Sequence, residues 1–148
     1  MKKGFTLIEV LAVLVILALL ALVAVPGAMR ISGDMRKELY CKKVNLILND
    51  IKRYGDEHIS SLSTSCYKQF SVKEIVSMGI TKREDKDSDI YIKNPFTNLA
   101  MDDDKILLYA KNNRAYAYYV PSYSDDFDLL ENECNLQIID INNVRLCN

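Results

Sequence analysis

The feature that most constrains this chain is an apolar run that begins almost at its first residue. Residues 7–25 carry one charged side chain, Glu9, and they follow two lysines, Lys2 and Lys3. Counted from Phe5 the run is roughly 20 residues long, which as a helix is enough to cross a bilayer core about 30 Å thick. We therefore predict a membrane-competent helix with the lysines on the cytoplasmic side.

A cleaved secretory signal also places basic residues before an apolar stretch, but it ends in small residues at an A-x-A-like site. Here the run ends in Ala24-Val25-Pro26-Gly27-Ala28, which fits that pattern poorly. An ordinary membrane anchor does not explain Glu9, because a carboxylate near the centre of an inserted helix costs about 2.5–3.5 kcal/mol and needs a partner. Glu9 either reaches the lipid headgroups or meets a cation.

The order Lys2-Lys3-Gly4-Phe5-Thr6-Leu7-Ile8-Glu9 resembles the processing motif of type IV prepilins and pseudopilins. In that family a membrane peptidase cuts after the glycine and methylates the new amino terminus. The resemblance implies that Gly4 ends a leader and that Phe5 becomes the N-methylated first residue. It also implies that Glu9 meets the terminal amine of a neighbouring subunit during assembly. The attraction between these charges is strong where the dielectric constant is low.

These features divide the 148 residues into three parts. The parts are a leader over residues 1–4, a transmembrane and assembly helix over residues 5–27, and a pilin-like head over residues 28–148. Apolar residues at three- or four-residue steps predict an amphipathic helix over 28–54, which Gly55 is expected to end or weaken. Pro26 and Gly27 are expected to kink the helix between its two halves, because proline removes a backbone hydrogen bond.

The head contains two β-prone segments, 105–110 and 115–120, around an Asn-Asn turn, which predicts an antiparallel hairpin. Residues 90–92 and about 136–141 are further strand candidates, and a capping box at Ser71 predicts a short helix. The fold class is therefore α+β. A long N-terminal helix, with a membrane-spanning half and an amphipathic half, packs on a small antiparallel β-sheet head of three to five strands.

The four cysteines lie beyond the anchor, on the side that the lysines place outside. An even number of cysteines in a small exported domain suggests disulfides, for which three pairings exist. We favour Cys41–Cys66 together with Cys134–Cys147, because each pair closes a short loop. Reduced, buried cysteines are the alternative. Zinc is disfavoured because no C-x-x-C pair and no nearby histidine provide ligand spacing.

Besides a predicted turn at Asp102-Asp103-Asp104, acidic residues are concentrated in two loops of the predicted head. One contains three alternating aspartates that resemble the start of a calcium loop, namely Asp85, Asp87 and Asp89. The EF-hand pattern fails, because Ile90 replaces its turn glycine and Phe96 replaces its bidentate glutamate. We therefore predict a solvated loop and no cofactor, with calcium as the alternative. The second acidic stretch, 125–128, is also predicted to be a loop.

Catalysis is not indicated by the sequence. The only histidine is His58, and a thiol nucleophile at Cys41 or Cys66 would need a poised base and a third orienting group. No family-specific sequence surrounds any cysteine. We therefore predict that the protein is not an enzyme.

DNA is possible as a partner but is not indicated, because the formal net charge is −1. Five basic residues on the amphipathic helix could contact phosphates if the subunit served DNA uptake. They are Lys37, Lys42, Lys43, Lys52 and Arg53. A solvated helix face, paired with acidic neighbours in a filament, explains them equally well.

The resemblance implies a structural subunit, a pilin or pseudopilin, of a type IV pilus-like filament. The subunit would be processed after Gly4 and polymerised through its N-terminal helix. Its partners would be other pilin-like subunits, a prepilin peptidase, an assembly platform and a motor ATPase. It would cross the cytoplasmic membrane once before assembly and lie in a surface or envelope-spanning filament afterwards. The alternatives are a pseudopilin of type II secretion or competence DNA uptake, and a monomeric membrane-anchored binding or sensor domain.

Overall fold

The structure is a computed structural model that describes residues 6–84, 86–137, 139 and 144–147. For residues 23–30, 124 and 125 only the backbone is described. The chain forms two compact units, residues 1–35 and residues 36–148. The fold class is the predicted one, because a long N-terminal helix packs with a three-stranded antiparallel sheet.

The first helix, α1, extends over Leu7–Glu57. In the first unit its large apolar side chains from Leu7 to Leu22 are solvent-exposed, from 46% at Val10 to 84% at Leu7. The predicted transmembrane segment, 5–27, also includes Phe5 and the side chains of 23–27, which lie outside the described residues. Among the described residues, no helix has both the length and the apolar character needed to cross a membrane.

In the second unit, which begins at Arg36, α1 is amphipathic. This agrees with the amphipathic helix predicted over residues 28–54. The side chains on its inner face are fully or almost fully buried, and they are Tyr40, Val44, Ile47, Leu48 and Ile51. The three- or four-residue steps between them place them on one side of the helix. Leu39 and Leu46, on another side, are 51% and 64% exposed.

The prediction that Gly55 ends this helix is wrong. The helix continues to Glu57, and Gly55 lies where α1 comes close to the sheet. A Cβ on Gly55 would lie 2.6 Å from the Ala115 Cβ and 3.1 Å from Leu108 Cδ1. Glycine is therefore required here by the small space between helix and sheet, and not by a helix end.

The sheet contains β1 (Lys68–Ser71), β2 (Lys105–Lys111) and β3 (Arg114–Val120), in the order β1-β2-β3. Both pairings are antiparallel. The predicted hairpin is confirmed as β2 and β3, joined by Asn112 and Asn113, whose φ angles are 52° and 59°. Positive φ at both turn residues is the geometry of a tight hairpin turn, which asparagine tolerates. The strand β1 was not predicted.

The core lies between α1 and the inner face of the sheet. Buried side chains of that face are Ile106, Leu108, Ala115, Ala117 and Tyr119. The short helix α2 (Val72–Ser77) begins with the predicted capping box, in which Ser71 accepts from the Glu74 N–H and Glu74 accepts from the Ser71 N–H. It adds Val72, Ile75 and Val76 to the core.

Two loop and strand predictions are corrected. Residues 125–128 belong to a helix, α3 (Ser124–Asn132), whose Leu129 and Leu130 are buried in the core. Residues 90–92 do not form a strand, because the N–H groups of Tyr91 and Ile92 donate to the Asp102 carboxylate at 3.0 Å. A side chain thus accepts the hydrogen bonds that a neighbouring strand would accept.

The predicted strand at 136–141 falls largely outside the described residues. Closer to the C-terminus, the chain lies beside the start of β1. Tyr67 N–H donates to the Arg145 carbonyl at 2.8 Å, and Cys147 N–H donates to the Tyr67 carbonyl at 2.9 Å. Leu146 forms an isolated parallel bridge with Tyr67.

All four cysteines form disulfides, but the favoured pairing is wrong. The bonds join Cys41 to Cys134 and Cys66 to Cys147, across sequence separations of 93 and 81 residues. The first pairing arises because the end of α3 lies beside α1, and the second because the C-terminal segment lies beside Tyr67. Tertiary packing, rather than short loops, brings these sulfur atoms together.

Candidate functional site: the start of the N-terminal helix

Thr6 and Glu9 form a hydrogen-bonded pair at the start of α1. They belong to the predicted processing and assembly site, of which the structure describes this part. Thr6 donates to Glu9 Oε2 twice, from its backbone N–H at 2.9 Å and from its hydroxyl at 2.8 Å. The Glu9 N–H donates in return to Thr6 Oγ1 at 3.4 Å. Gly4 and Phe5, the predicted cleavage and methylation residues, lie outside the described residues.

This arrangement is a capping box, in which two side chains satisfy N–H groups that have no partner within the helix. The T-x-x-E spacing of Thr6 and Glu9 is visible in the sequence, although a capping box was predicted only at Ser71. Glu9 therefore stabilises the start of α1 within a single chain. A carboxylate has more lone pairs than these two hydrogen bonds use, so Glu9 can also accept from a further cation.

The surface that follows Glu9 is apolar on every side. The side chains from Val10 to Leu22 contain no charged group, and the large ones are 46–73% exposed. An apolar surface of this size is typical of a segment that another apolar phase covers, either lipid or protein. The helix continues through Pro26 and Gly27, and the kink predicted there stays a prediction.

The basic residues on α1 are largely paired with carboxylates of the same chain. Lys37 lies 3.3 Å from Glu133, Lys42 lies 2.7 Å from Glu38, and Lys43 lies 2.5 Å from Glu84. Arg53 lies 3.7 Å from Asp50. Lys52, the fifth of these residues, has no ion pair with a described residue.

The structure describes only some of the residues on which the calcium and thiol hypotheses rest. Asp85 lies outside the described residues, and the described ones contain no group of three or more His, Cys, Asp or Glu that could hold a metal. The predicted solvated loop, with calcium at Asp85, Asp87 and Asp89 as the alternative, therefore stays a prediction. The His58 ring stacks on Tyr54 at 4.3 Å, and Cys41 and Cys66 are both in disulfides.

A buried polar cluster in the head was not predicted from the sequence. Tyr119 O–H donates to Asp104, which also accepts from the Ser122 N–H at 2.7 Å. Nearby, Asn94 Nδ2 donates to Asp126 Oδ2 at 3.1 Å. Burial raises the pKa of the Asp104 carboxyl, although the hydrogen bonds from Tyr119 and Ser122 oppose it.

The same cluster acts on a tyrosine of α1. Burial, and then the negative charges of Asp126 and Asp104, raise the pKa of Tyr40. Asn94 also fixes the loop after it, since its side-chain oxygen accepts from the N–H groups of Phe96 and Thr97. The cluster joins the loops to α1 and α3 and is a structural feature of the head.

Comparison with known proteins bears on the N-terminal segment alone. Residues 1–25 match the family model described as the prokaryotic N-terminal methylation motif. No curated protein and no solved structure matches the chain.

This motif is the signature of type IV pilins and pseudopilins, and the chain carries it. It supports a pilin-like or pseudopilin subunit, and it points to a structural role. For proteins of this class the motif implies a membrane-anchored precursor, cleavage by a prepilin peptidase and assembly with other pilin-like subunits.

Proposed function

We propose that this protein is the structural subunit of a type IV pilus-like filament, cleaved after Gly4 and polymerised through its N-terminal helix. The methylation motif at residues 1–25 is the observation that carries the proposal. The exposed apolar surface of α1 after Glu9 supports it, because such a surface needs lipid before assembly and neighbouring helices afterwards.

Before assembly, α1 inserts in the cytoplasmic membrane with the leader on the cytoplasmic side. Transfer into a filament keeps the apolar side chains away from water, since neighbouring helices replace lipid around them. Glu9 then pairs with the amine that cleavage creates on a neighbouring subunit. An unpaired carboxylate in that apolar core is penalised, so the pairing selects the register of the incoming subunit.

The direct test is intact-mass and amino-terminal analysis of the protein from its native membrane and surface fractions. We expect a chain that begins at N-methylated Phe5 in both fractions, and filaments that contain it in the sheared surface fraction. A chain that retains Met1 to Gly4, in cells with an active prepilin peptidase, would refute processing. It would favour a monomeric membrane-anchored domain instead.

A further inference from the structure

Four tyrosine rings contact one another on the outer face of the sheet, which is the face away from α1. Tyr109 of β2, with Tyr116 and Tyr118 of β3, alternates with the buried residues of the inner face, so these side chains point outward. Tyr67, which precedes β1, completes the group. Tyr116 is 37% exposed and the other three are half-buried, so solvent reaches the rings. We call these four residues the tyrosine cluster.

Tyr109 lies at the centre of the tyrosine cluster. Its ring centroid is 4.7 Å from that of Tyr67, 5.5 Å from that of Tyr116 and 6.0 Å from that of Tyr118. These are the separations of aromatic rings that pack against one another. Tyr109 is therefore in contact with every other ring of the cluster.

Phenol rings in contact can undergo a reaction that isolated rings cannot, which is coupling after one-electron oxidation. Each phenol loses one electron and its O–H proton, and the unpaired electron is then shared between the oxygen and the ring carbons beside it. Two such carbons, one from each ring, form a carbon–carbon bond. The hydrogens they carried move to the oxygens and restore both phenols. With hydrogen peroxide as the oxidant, two tyrosines and one peroxide give one dityrosine and two water molecules.

We propose that Tyr67 and Tyr109 form an intrachain dityrosine when a haem peroxidase and hydrogen peroxide act on the head. Their rings have the shortest centroid separation in the tyrosine cluster, so the new bond requires the smallest movement of the side chains. Tyr116 is the most exposed ring of the cluster and contacts Tyr109, so an oxidant that reaches Tyr116 can also oxidise Tyr109 by electron transfer between the two rings.

The new bond would join the start of β1 to β2. Tyr67 follows Cys66, whose disulfide to Cys147 attaches the C-terminal segment to the same place. Thiols reduce a disulfide but do not cleave a carbon–carbon bond, so the dityrosine would hold β1 on the sheet after reduction. The inference does not depend on filament assembly, because the reaction requires only the folded head.

The test is treatment of the purified full-length protein, in detergent, with a haem peroxidase and hydrogen peroxide. We expect a monomer that has dityrosine fluorescence and a mass lower by two hydrogen atoms, in a fraction that does not change with protein concentration. After reduction of the disulfides and digestion with trypsin, residues 54–68 should be linked to residues 106–111. Fragmentation of the linked peptides should place the bond at Tyr67 and Tyr109.

Two variants control for non-specific oxidation. Tyr109→Phe keeps the ring and removes the hydroxyl, so it should lose the intrachain link. Tyr123→Phe is the matched control and should retain the link, because Tyr123 is 44% exposed and has no ring contact within the described part of the chain. Formation of both disulfides and unchanged thermal unfolding show that each variant folds.

Dimers without an intrachain link, or an intrachain link between other tyrosines, would overturn the inference. A link in Tyr109→Phe that is as abundant as in wild type would also overturn it. None of these results would affect the proposed function, because processing after Gly4 and polymerisation through α1 require no oxidation of tyrosine.

Discussion

Gly55 on α1 lies so close to Ala115 on β3 that a Cβ on Gly55 would be 2.6 Å from the Ala115 Cβ. Real Cβ atoms do not approach each other this closely, so this pair determines how near the helix can lie to the sheet. The approach also allows Asp56, the next residue, to accept the Ala115 N–H at the edge of the sheet.

Replacing Gly55 with alanine should therefore destabilise the head. Overpacking costs about 1–3 kcal/mol, and the gain in helix propensity, about 1 kcal/mol, offsets only part of it. We expect a lower melting temperature for the full-length protein in detergent. Thermal unfolding can be monitored by the near-UV circular dichroism of its tyrosines. Gly33→Ala in the same helix is the control, because no atom lies within 4 Å of its added Cβ. An unchanged melting temperature for Gly55→Ala would contradict the packing described here.

Three variants separate the two roles of Glu9. Glu9→Gln keeps an oxygen that can cap the helix but removes the charge, whereas Thr6→Ala removes the threonine cap and keeps the charge. If Glu9 pairs with a terminal amine, Glu9→Gln and Glu9→Ala should both reduce sheared filament yield while Thr6→Ala retains most of it. Membrane fractions should contain similar amounts of all three proteins. A wild-type yield from Glu9→Gln together with a loss in Thr6→Ala would indicate that capping alone matters.

The disulfide pairing can be tested directly by peptide mapping under non-reducing conditions. We expect linked peptides that contain Cys41 with Cys134 and Cys66 with Cys147. Replacing both members of either pair with serine should lower the free energy of unfolding by about 2–5 kcal/mol, because each bond closes a long loop. Paired replacement is preferable to single replacement, since it leaves no free thiol to exchange. A linked Cys41–Cys66 peptide would contradict the fold near the C-terminus.

Asp104 should make the stability of the head depend on pH. Its pKa is raised in the folded state, so the folded protein holds a proton there at pH values where the unfolded chain has lost it. The stability that Asp104 contributes is therefore greatest below its unfolded pKa, about 3.9, and falls as pH rises through the folded pKa. We expect Asp104→Asn to gain in free energy of unfolding relative to wild type between pH 4 and pH 7 in urea titrations. A difference that is constant with pH would show that Asp104 does not titrate as described.

Features determined by neighbouring residues were predicted from the sequence. The β2–β3 hairpin follows from β-prone segments around Asn112 and Asn113, and α2 follows from the capping box at Ser71. The helix α3 was missed because its N-cap residue, Tyr123, provides no side-chain hydrogen bond. Without that start signal, the aspartates of α3 indicated a loop.

Features that depend on distant residues were not predictable. The partners of Cys41 and Cys66 are determined by the packing of α3 and of the C-terminal segment, which no short pattern records. The interaction of Tyr119 with Asp104 likewise requires β3 to be placed beside the loop before β2. At the candidate site, the processing motif was recognised from its order alone, whereas the capping role of Glu9 became apparent from its hydrogen bonds to Thr6.

The two disulfides are interleaved along the chain, because Cys66 lies between Cys41 and Cys134, and Cys134 lies between Cys66 and Cys147. A protease that cuts one peptide bond anywhere between Cys41 and Cys147 therefore cannot release a fragment. Whichever loop is cut, at least one sulfur–sulfur bond still joins the two pieces. In the filament proposed above, a nicked head would therefore stay attached to its own helix.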